Sequence, residues 1–389
     1  MSAPGSRGAW LAAVCALVAN GCACPPAAPE GPRLPPSAMV IAPPSAPLPA
    51  LVRESSVPLP ATESTAFACA ALGGWLHVVF ADAGQQQSTH AVFDLAGSAL
   101  RPPVTTPLLV WGMVPCGDHL LASASKPGDD RPRAVRIAAN GDVVWQAEVP
   151  VPQGSLLWPV PMCEGGRGLL VWRTEAENGA LSWVDVAADG VGPVSSVPLP
   201  EMTWEVALAP APRGFVALRT DPRALELLHM ETGEVERAFL DTRDLSGFSV
   251  AAAGGRFGVW TVAADSNDVR LQWFGEKLAP EGPPLALVRA PEQIHSVRVT
   301  PGDAGTSIVR AYASARTART AAVPGGRHEP VTEAREYVGV HDVGQTRMTD
   351  LLAVENPGGV DCGAWLSDRF ALISGKHDIT LTTYRVSRP

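Results

Sequence analysis

Three cysteines in this chain of 389 residues are evenly spaced, and a fourth lies far downstream. Cys69, Cys116 and Cys163 follow one another at intervals of 47 residues, and Cys362 lies near the C-terminus. Thiols of this kind can pair as disulfides, stay reduced in the interior, or bind a metal. Four cysteines allow three pairings. Only His119, three residues after Cys116, stands at metal-ligand spacing, so the sequence predicts no metal site.

Catalytic signatures are not recognisable in the sequence. It contains no Gly-x-Ser-x-Gly, phosphate-binding loop or His-Glu-x-x-His pattern. Carboxylates that pair across separate repeats cannot be identified from spacing, so the question of an enzyme stays open and no cofactor is predicted. His341-Asp342 and His377-Asp378 fall at expected strand ends, where solvated histidines are predicted.

Charge and hydropathy exclude two classes of partner. The net charge of −9 argues against a protein that grips phosphate backbones, so no nucleic-acid partner is predicted. After the N-terminus, no run of apolar residues reaches the roughly 18 that a membrane-spanning helix needs. Any membrane attachment is therefore expected through a lipid anchor alone.

The first 21 residues have the organisation of an export signal. Arg7 precedes an apolar run of 11 residues, Ala9–Ala19, which is too short to span a bilayer. Asn20-Gly21-Cys22 follows and resembles a bacterial lipoprotein signal. The resemblance implies cleavage before Cys22 and acylation of that residue. Ordinary cleavage nearby, which would release a secreted protein, is the alternative, and both place the mature chain outside the cytoplasm, where disulfides persist.

A proline-rich linker is predicted for residues 22–50. Pro25–Ala50 holds ten prolines and little charge, so it cannot bury a core and should be extended and solvated. If Cys22 carries lipid, this segment is a stalk between the membrane and the folded domain. A tail without a function is the alternative.

Cys69, Cys116 and Cys163 lie in a repeated pattern of short predicted strands, and these strands must position them. Trp158–Arg173 consists of an apolar run, a glycine turn and a second apolar run, and Trp111–Ala122 and Ser64–Phe80 repeat this pattern. Later, Arg213–Arg219 (RGFVALR) parallels Arg167–Arg173 (RGLLVWR). A period of about 40–50 residues built from strands and turns is typical of a β-propeller blade.

Seven such units, each of four antiparallel strands, are predicted. In the last two units, the strands are expected at Ser296–Thr300, Ser307–Ala313, Tyr337–Asp342, Arg347–Val354, Gly359–Cys362, Phe370–Ser374 and Ile379–Val386. Unit seven therefore lacks an outer strand.

The missing strand is expected near the N-terminus. Ser55–Pro60 reads SSVPLP, as does Ser195–Pro200, the predicted outer strand of unit three. Pairing Ser55–Pro60 with Ile379–Val386 would close the ring and remove exposed sheet edges. This arrangement resembles the "velcro" closure of the β-propeller superfamily. The fold class is thus all-β, a seven-bladed β-propeller over residues 51–389, closed by an N-terminal outer strand in the last blade.

Ring closure makes units seven, one, two and three consecutive neighbours. The four cysteines are expected at a shared position, the end of the innermost strand. Cys69–Cys362 with Cys116–Cys163 is then the one pairing set that joins adjacent blades in both bonds. Reduced thiols at the channel wall remain the alternative, because equivalent positions on adjacent blades can be too far apart for a bond.

One face of the propeller is the predicted ligand face. It carries the loops between second and third strands, which hold the acidic residues Asp82, Asp129, Asp130, Glu175, Glu177, Asp221, Asp265 and Asp268. In unit six this loop is long, Ser314–Glu336, and contains the basic residues Arg316, Arg319, Arg327, His328 and Arg335. The hypothesis is that it folds toward the acidic rim as a lid or contact surface. A flexible solvated excursion is the alternative.

Tryptophans begin three successive inner strands on that face, namely Trp111, Trp158 and Trp204. They could stack a sugar or another flat ligand. Packing between blades explains them equally without a ligand.

Together these features predict a lipid-anchored propeller of the cell envelope, at the outer membrane or in the periplasm, or alternatively secreted. It is expected to act as a binding or protein-interaction scaffold for an unknown protein or glycan, as a monomer. The alternative is a polysaccharide-acting hydrolase or lyase with its site at the channel mouth.

Overall fold

The computed structural model describes most of the chain after the proline-rich segment. The described residues are 48–59, 64–82, 87–151, 159–174, 180–198, 206–211, 214–220, 223–229, 232–240, 245–253, 256–263, 267–302, 305–323, 327–354, 362–375 and 378–388. The predicted signal peptide, Cys22 and nearly all of the linker lie outside these ranges. Within them, no helix has the length and apolarity to cross a bilayer.

Twenty-eight strands form seven four-stranded antiparallel sheets in the described part of the chain. Blade one contains β2 (Ser64–Leu72), β3 (Trp75–Asp82), β4 (Ser88–Phe93) and β5 (Val104–Thr106). Blade two contains β6 (Leu109–Cys116), β7 (His119–Lys126), β8 (Asp129–Ala138) and β9 (Val143–Glu148). Blade three contains β10 (Val160–Glu164), β11 (Arg167–Thr174), β12 (Ala180–Val186) and β13 (Ser195–Pro198).

The remaining blades repeat the same order from inner to outer strand. Blade four contains β14 (Val206–Ala211), β15 (Gly214–Thr220), β16 (Arg223–His229) and β17 (Val235–Phe239). Blade five contains β18 (Leu245–Ala253), β19 (Arg256–Ala263), β20 (Asp268–Phe274) and β21 (Leu285–Arg289). Blade six contains β22 (Ile294–Pro301), β23 (Thr306–Val323), β24 (Arg327–Asp342) and β25 (Leu352–Ala353). Blade seven contains β26 (Cys362–Leu366), β27 (Arg369–Ser374), β28 (Thr380–Ser387) and β1 (Ala50–Pro58).

Packing between neighbouring sheets explains why a strand in the middle of a blade, such as β27, is apolar on both faces. Successive side chains of a strand point to opposite sides of its sheet. In β27, Phe370 and Leu372 pack against blade six, whereas Ala371 and Ile373 pack against blade one. The described residues form one apolar cluster at each of the seven interfaces, including that between blades seven and one. The clusters therefore follow one another around a closed ring, which confirms the predicted architecture.

The N-terminal strand closes the ring as predicted. β1 pairs antiparallel with β28 from Ala50 opposite Ser387 to Pro58 opposite Thr380. A side-chain hydrogen bond of 2.6 Å joins the hydroxyls of Ser55 and Thr383. The strand begins five residues earlier than the repeated SSVPLP motif indicates, because the pairing continues through the preceding residues.

Several strand boundaries in blades six and seven differ from the prediction. The fourth strand of blade six has two residues, Leu352–Ala353, instead of Arg347–Val354. The innermost strand of blade seven begins at Cys362, where the prediction ended it. A strand at the edge of a sheet has one neighbouring strand instead of two. Its length is therefore set by the extent of that pairing more than by the strand preference of its residues.

Candidate functional site

The predicted long loop of blade six is a two-stranded ribbon. β23 and β24 continue to pair beyond the blade, from Ser314 opposite Ala334 to Val323 opposite Arg327. The prediction of a loop over Ser314–Glu336 was therefore wrong. Alanine and charged residues have low strand preference, so pairing across the hairpin, and not residue type, defines these strands.

Four predicted arginines lie on this ribbon. In the backbone register, Arg316 stands opposite Thr332, Arg319 falls in the register shift that follows, and Arg327 stands opposite Val323 near the tip. The side chains of residues 314–334 lie outside the described part of the structure. Arg335, at the base of the ribbon, is described in full.

Three side chains fix the base of the ribbon to blade five. Arg335 and Tyr337 are two residues apart on β24 and so share a face of the strand. Glu292 lies in the connection between β21 and β22. Its Oε1 accepts a 2.6 Å hydrogen bond from Nη1 of Arg335 and a second from the hydroxyl of Tyr337. The ribbon is therefore tied to the neighbouring blade where it leaves the disk.

Glu292, Arg335 and Tyr337 form a clamp at the base of the ribbon, and the protonation states of Glu292 and Tyr337 suit this structural role. Burial raises the pKa of Glu292, but hydrogen bonds from Tyr337 and Arg335 outweigh it and bring the pKa below its ordinary value. Burial, followed by the hydrogen bond to Glu292, raises the pKa of Tyr337 above its ordinary value. The phenol thus keeps its proton and the carboxylate its charge at neutral pH. A general base would need the opposite shift in the tyrosine.

Acidic residues of the predicted ligand face have basic partners where they are described. Asp129 accepts a 2.8 Å hydrogen bond from Nε of Arg131, and Asp268 a 3.1 Å bond from Nε of Arg289. Arg335 contacts Glu292, which is not among the acidic residues predicted for this face. The side chains of Asp82, Asp130, Glu175, Glu177, Asp221 and Asp265 lie outside the described part. Folding of the ribbon toward an acidic rim stays a hypothesis.

One of the three rim tryptophans is described. Trp111 stands at a bulge in β6, half-buried, and its indole N–H donates to Oγ of Ser125 at 3.2 Å. Its polar atom is therefore engaged within blade two. Trp158 and Trp204 lie outside the described residues, so an aromatic rim stays a prediction.

The cysteines lie in two pairs. The structure joins Cys69 to Cys362, with a Cα–Cα distance of 5.8 Å, and Cys116 to Cys163, with a distance of 5.5 Å. The first pair spans blades seven and one, and the second spans blades two and three.

The expectation of a shared strand position was wrong. Cys69 lies within β2 and Cys362 begins β26, whereas Cys116 ends β6. The paired cysteines therefore stand at different positions within their strands. In the described part of the chain, no three His, Cys, Asp or Glu side chains converge as a metal site requires.

Buried histidines are features that the sequence did not reveal. His77 and His90 are buried between blades one and two, and a cavity of about 210 Å³ adjoins His90. His341, predicted to be solvated, is fully buried, with Nε2 3.0 Å from the carbonyl of Gln345. That prediction was wrong because the turn after β24 covers the strand end. His377 lies outside the described residues.

Comparisons with known proteins concern the fold. No family model matches the sequence, and no curated protein matches it. Among solved structures, the Neurospora crassa Pan2 WD40 domain has a TM-score of 0.50 at 11% identity and covers 87% of this chain and 96% of its own.

Two further solved structures align less well. BamB from Moraxella catarrhalis has a TM-score of 0.45 at 11% identity, covering 86% of this chain and 100% of its own. BBS1N, in its complex with ARL6DN, has a TM-score of 0.49 at 13% identity, covering 87% and 97%. At these identities the likenesses concern the fold alone. The chain has the β-propeller fold, with seven blades.

Proposed function

We propose that this protein is a lipid-anchored, extracytoplasmic β-propeller that acts as a scaffold for binding other proteins. The observation that carries the proposal is the ribbon of blade six. Its strands have 18 and 16 residues, whereas β11 and β12 of blade three have eight and seven. Long insertions on a rigid framework commonly carry function.

The clamp at the base supports a binding function for the ribbon. Glu292, Arg335 and Tyr337 fix its origin on the disk, which lowers the entropy that a partner must remove on binding. The interblade clusters hold the disk itself in one shape. A rigid disk with a projecting ribbon suits the presentation of a binding surface.

Partner recovery from native membranes tests the scaffold. The full chain and a variant with residues 314–334 replaced by a short glycine turn are compared, because this replacement keeps the clamp at the base. Proteins recovered with the full chain should be lost with the variant, while thermal unfolding of the disk stays unchanged. Identical recovery by both chains would contradict the proposal.

The lipid anchor is tested separately. Metabolic labelling with a fatty acid should mark the wild-type chain and leave Cys22→Ala unlabelled, and the wild-type chain should fractionate with membranes. Membrane attachment of Cys22→Ala equal to that of the wild type would contradict lipidation at this residue.

A further inference from the structure

The ribbon of blade six has two open edges. β22 pairs with β23 as far as Ile294 opposite Ala313. β25 pairs with β24 at Tyr337 and Val338, and the N–H of Val354 donates to the carbonyl of Glu336. Beyond these residues, in the described pairing, each ribbon strand is bonded to the other alone. About ten residues of each strand therefore project roughly 30 Å at strand spacing, and no further strand among the described residues pairs with their outer edges.

The two edges differ in sequence. The returning strand contains Pro330, which has no N–H, together with Glu329 and Glu333. Proline and charges of this kind protect natural sheet edges against added strands. The outgoing strand, residues 314–323, reads SARTARTAAV, with two arginines, no acidic residue and no proline. The register shift between Arg316 and Thr320 interrupts this strand, but the strand lacks the proline and the glutamates of the returning strand. Its edge is therefore the more receptive of the two, and it lies on the same side of the ribbon as the inner strand β22.

We propose that the outgoing edge, residues 314–323, binds an extended acidic segment of a partner protein by strand addition. The proposal rests on the scaffold function above and names the chemistry of the partner. Backbone hydrogen bonds along the open edge provide affinity, as in other β-augmentation complexes. Arg316 and Arg319 provide selection for acidic side chains, because opposite charges on paired strands attract.

Charge decides among the possible occupants. A second copy paired through the same edge would join two strands that each carry arginines and no acidic residue, and like charges on paired strands destabilise a sheet. A lipid surface would meet the whole ribbon, where residues 314–336 hold four arginines and three glutamates. Those charges nearly cancel. The outgoing strand, residues 314–323, contains two arginines and no acidic residue, so an acidic segment is the favoured occupant of its edge.

Labelled peptides test the proposal on the full chain. The probe is a ten-residue peptide of alternating Glu and Val, and its counterpart has Lys in place of Glu. Fluorescence polarisation should show binding of the acidic peptide and not of the basic one. N-methylation of alternate backbone amides of the acidic peptide removes strand pairing and keeps its charge, so this version should lose binding.

Charge reversal on the ribbon provides the matched variant. Arg316→Glu with Arg319→Glu should weaken binding of the acidic peptide about tenfold or more and should create binding of the basic peptide. Lys277→Glu with Arg347→Glu makes the same change in charge at two exposed positions off the ribbon and should leave acidic-peptide binding unaltered. Thermal unfolding confirms that both variants are folded.

Four results would overturn strand addition. They are equal binding of the N-methylated peptide, no binding of the acidic peptide, a dimer lost on Arg316→Glu with Arg319→Glu, and ribbon-dependent binding to vesicles of anionic lipid without peptide binding. If native partners still require residues 314–334 in any of these cases, the scaffold function stands and the strand-addition mechanism fails.

Discussion

At the scale of residues, a chain of hydrogen bonds crosses from blade one to blade two. Nδ1 of His90 lies 2.9 Å from the carbonyl oxygen of Gly141, and Nε2 of His90 lies 3.3 Å from Nδ1 of His77. A carbonyl can only accept, so Nδ1 of His90 holds its proton and Nε2 accepts from His77. Because Nδ1 of His90 holds a proton and Nε2 accepts, the ring of His90 must be neutral, whereas His77 can donate from Nδ1 in either charge state.

The pH dependence of stability follows from these rings. Burial, and then the charges of His90 and Arg101, lower the pKa of His77 from 6.5 to about 4. Burial first also lowers the pKa of His90 and of His341. Since the unfolded chain takes up protons at higher pH than the folded chain, stability is lost as pH falls from about 6.5 to about 4. His77 alone should contribute a loss of about 3 kcal/mol between pH 7 and pH 4.

Denaturant unfolding measured across this range checks the prediction. His77→Gln keeps a donor for His90 and does not titrate, so its free energy of unfolding should fall less steeply with decreasing pH. His295→Gln, at an exposed position, is the control and should retain the wild-type slope. A His77→Gln slope equal to that of the wild type would contradict the assignment.

Gly141 occupies a position that excludes a side chain. Its φ is +87°, and a Cβ would lie 2.9 Å from Nη2 of Arg101 and 3.0 Å from both Cε1 of His90 and Cγ2 of Val92. Gly141→Ala should therefore lower the free energy of unfolding by about 2–4 kcal/mol, from backbone strain and steric overlap together. Gly117→Ala carries the strain alone, because φ is +67° and no atom lies within 4 Å. The two variants should differ by at least about 1 kcal/mol in denaturant unfolding, and equal losses would disprove the overlap.

At the scale of elements, inner strands and outer strands close the ring by different means. β1 supplies a backbone ladder at the outer edge of blade seven. Cys69 and Cys362 join the inner strands at the same junction, 293 residues apart in sequence, whereas Cys116 and Cys163 are 47 apart. A link across a longer loop removes more entropy from the unfolded chain.

The two cysteine pairs should therefore differ in their contribution to stability. We expect replacing Cys69 and Cys362 by serine to cost about 1–2 kcal/mol more than replacing Cys116 and Cys163, on the loop-entropy relation. Denaturant unfolding of both double variants without reductant measures the difference. Alkylation and mass determination of the unreduced wild type establish that the bonds form. Free thiols in the unreduced protein, or equal losses in the two variants, would contradict this expectation.

At the scale of the whole molecule, the repeat was predictable from the sequence and the departures from it were not. A 47-residue interval and a duplicated SSVPLP indicate blades and their closure because each blade must bury two faces against its neighbours. The ribbon has no such requirement, and its alanines, threonines and arginines resemble a loop. Glu292 was missed because the loops between second and third strands were considered, while the blade-to-blade connections on the same face were not. His341 was misjudged because burial by a later turn leaves no signal in its own strand.

Removal of β1 should affect the entire propeller, because this strand closes the ring. A chain beginning at residue 60 lacks β1, and with it the ladder to β28, the packing of Leu51 and the ion pairs of Glu54 with Arg369 and Arg385. β28 would then become an open edge with the sequence TLTTYRVS, which is rich in strand-forming residues and prone to pairing with other chains. The truncated protein should unfold at lower temperature and form oligomers in light scattering. A chain beginning at residue 48 keeps β1 and should stay monomeric, and adding the peptide ALVRESSVP to the truncated chain should restore the monomer by occupying the edge. A stable monomer without β1 and without the peptide would show that the ring does not depend on its N-terminal strand.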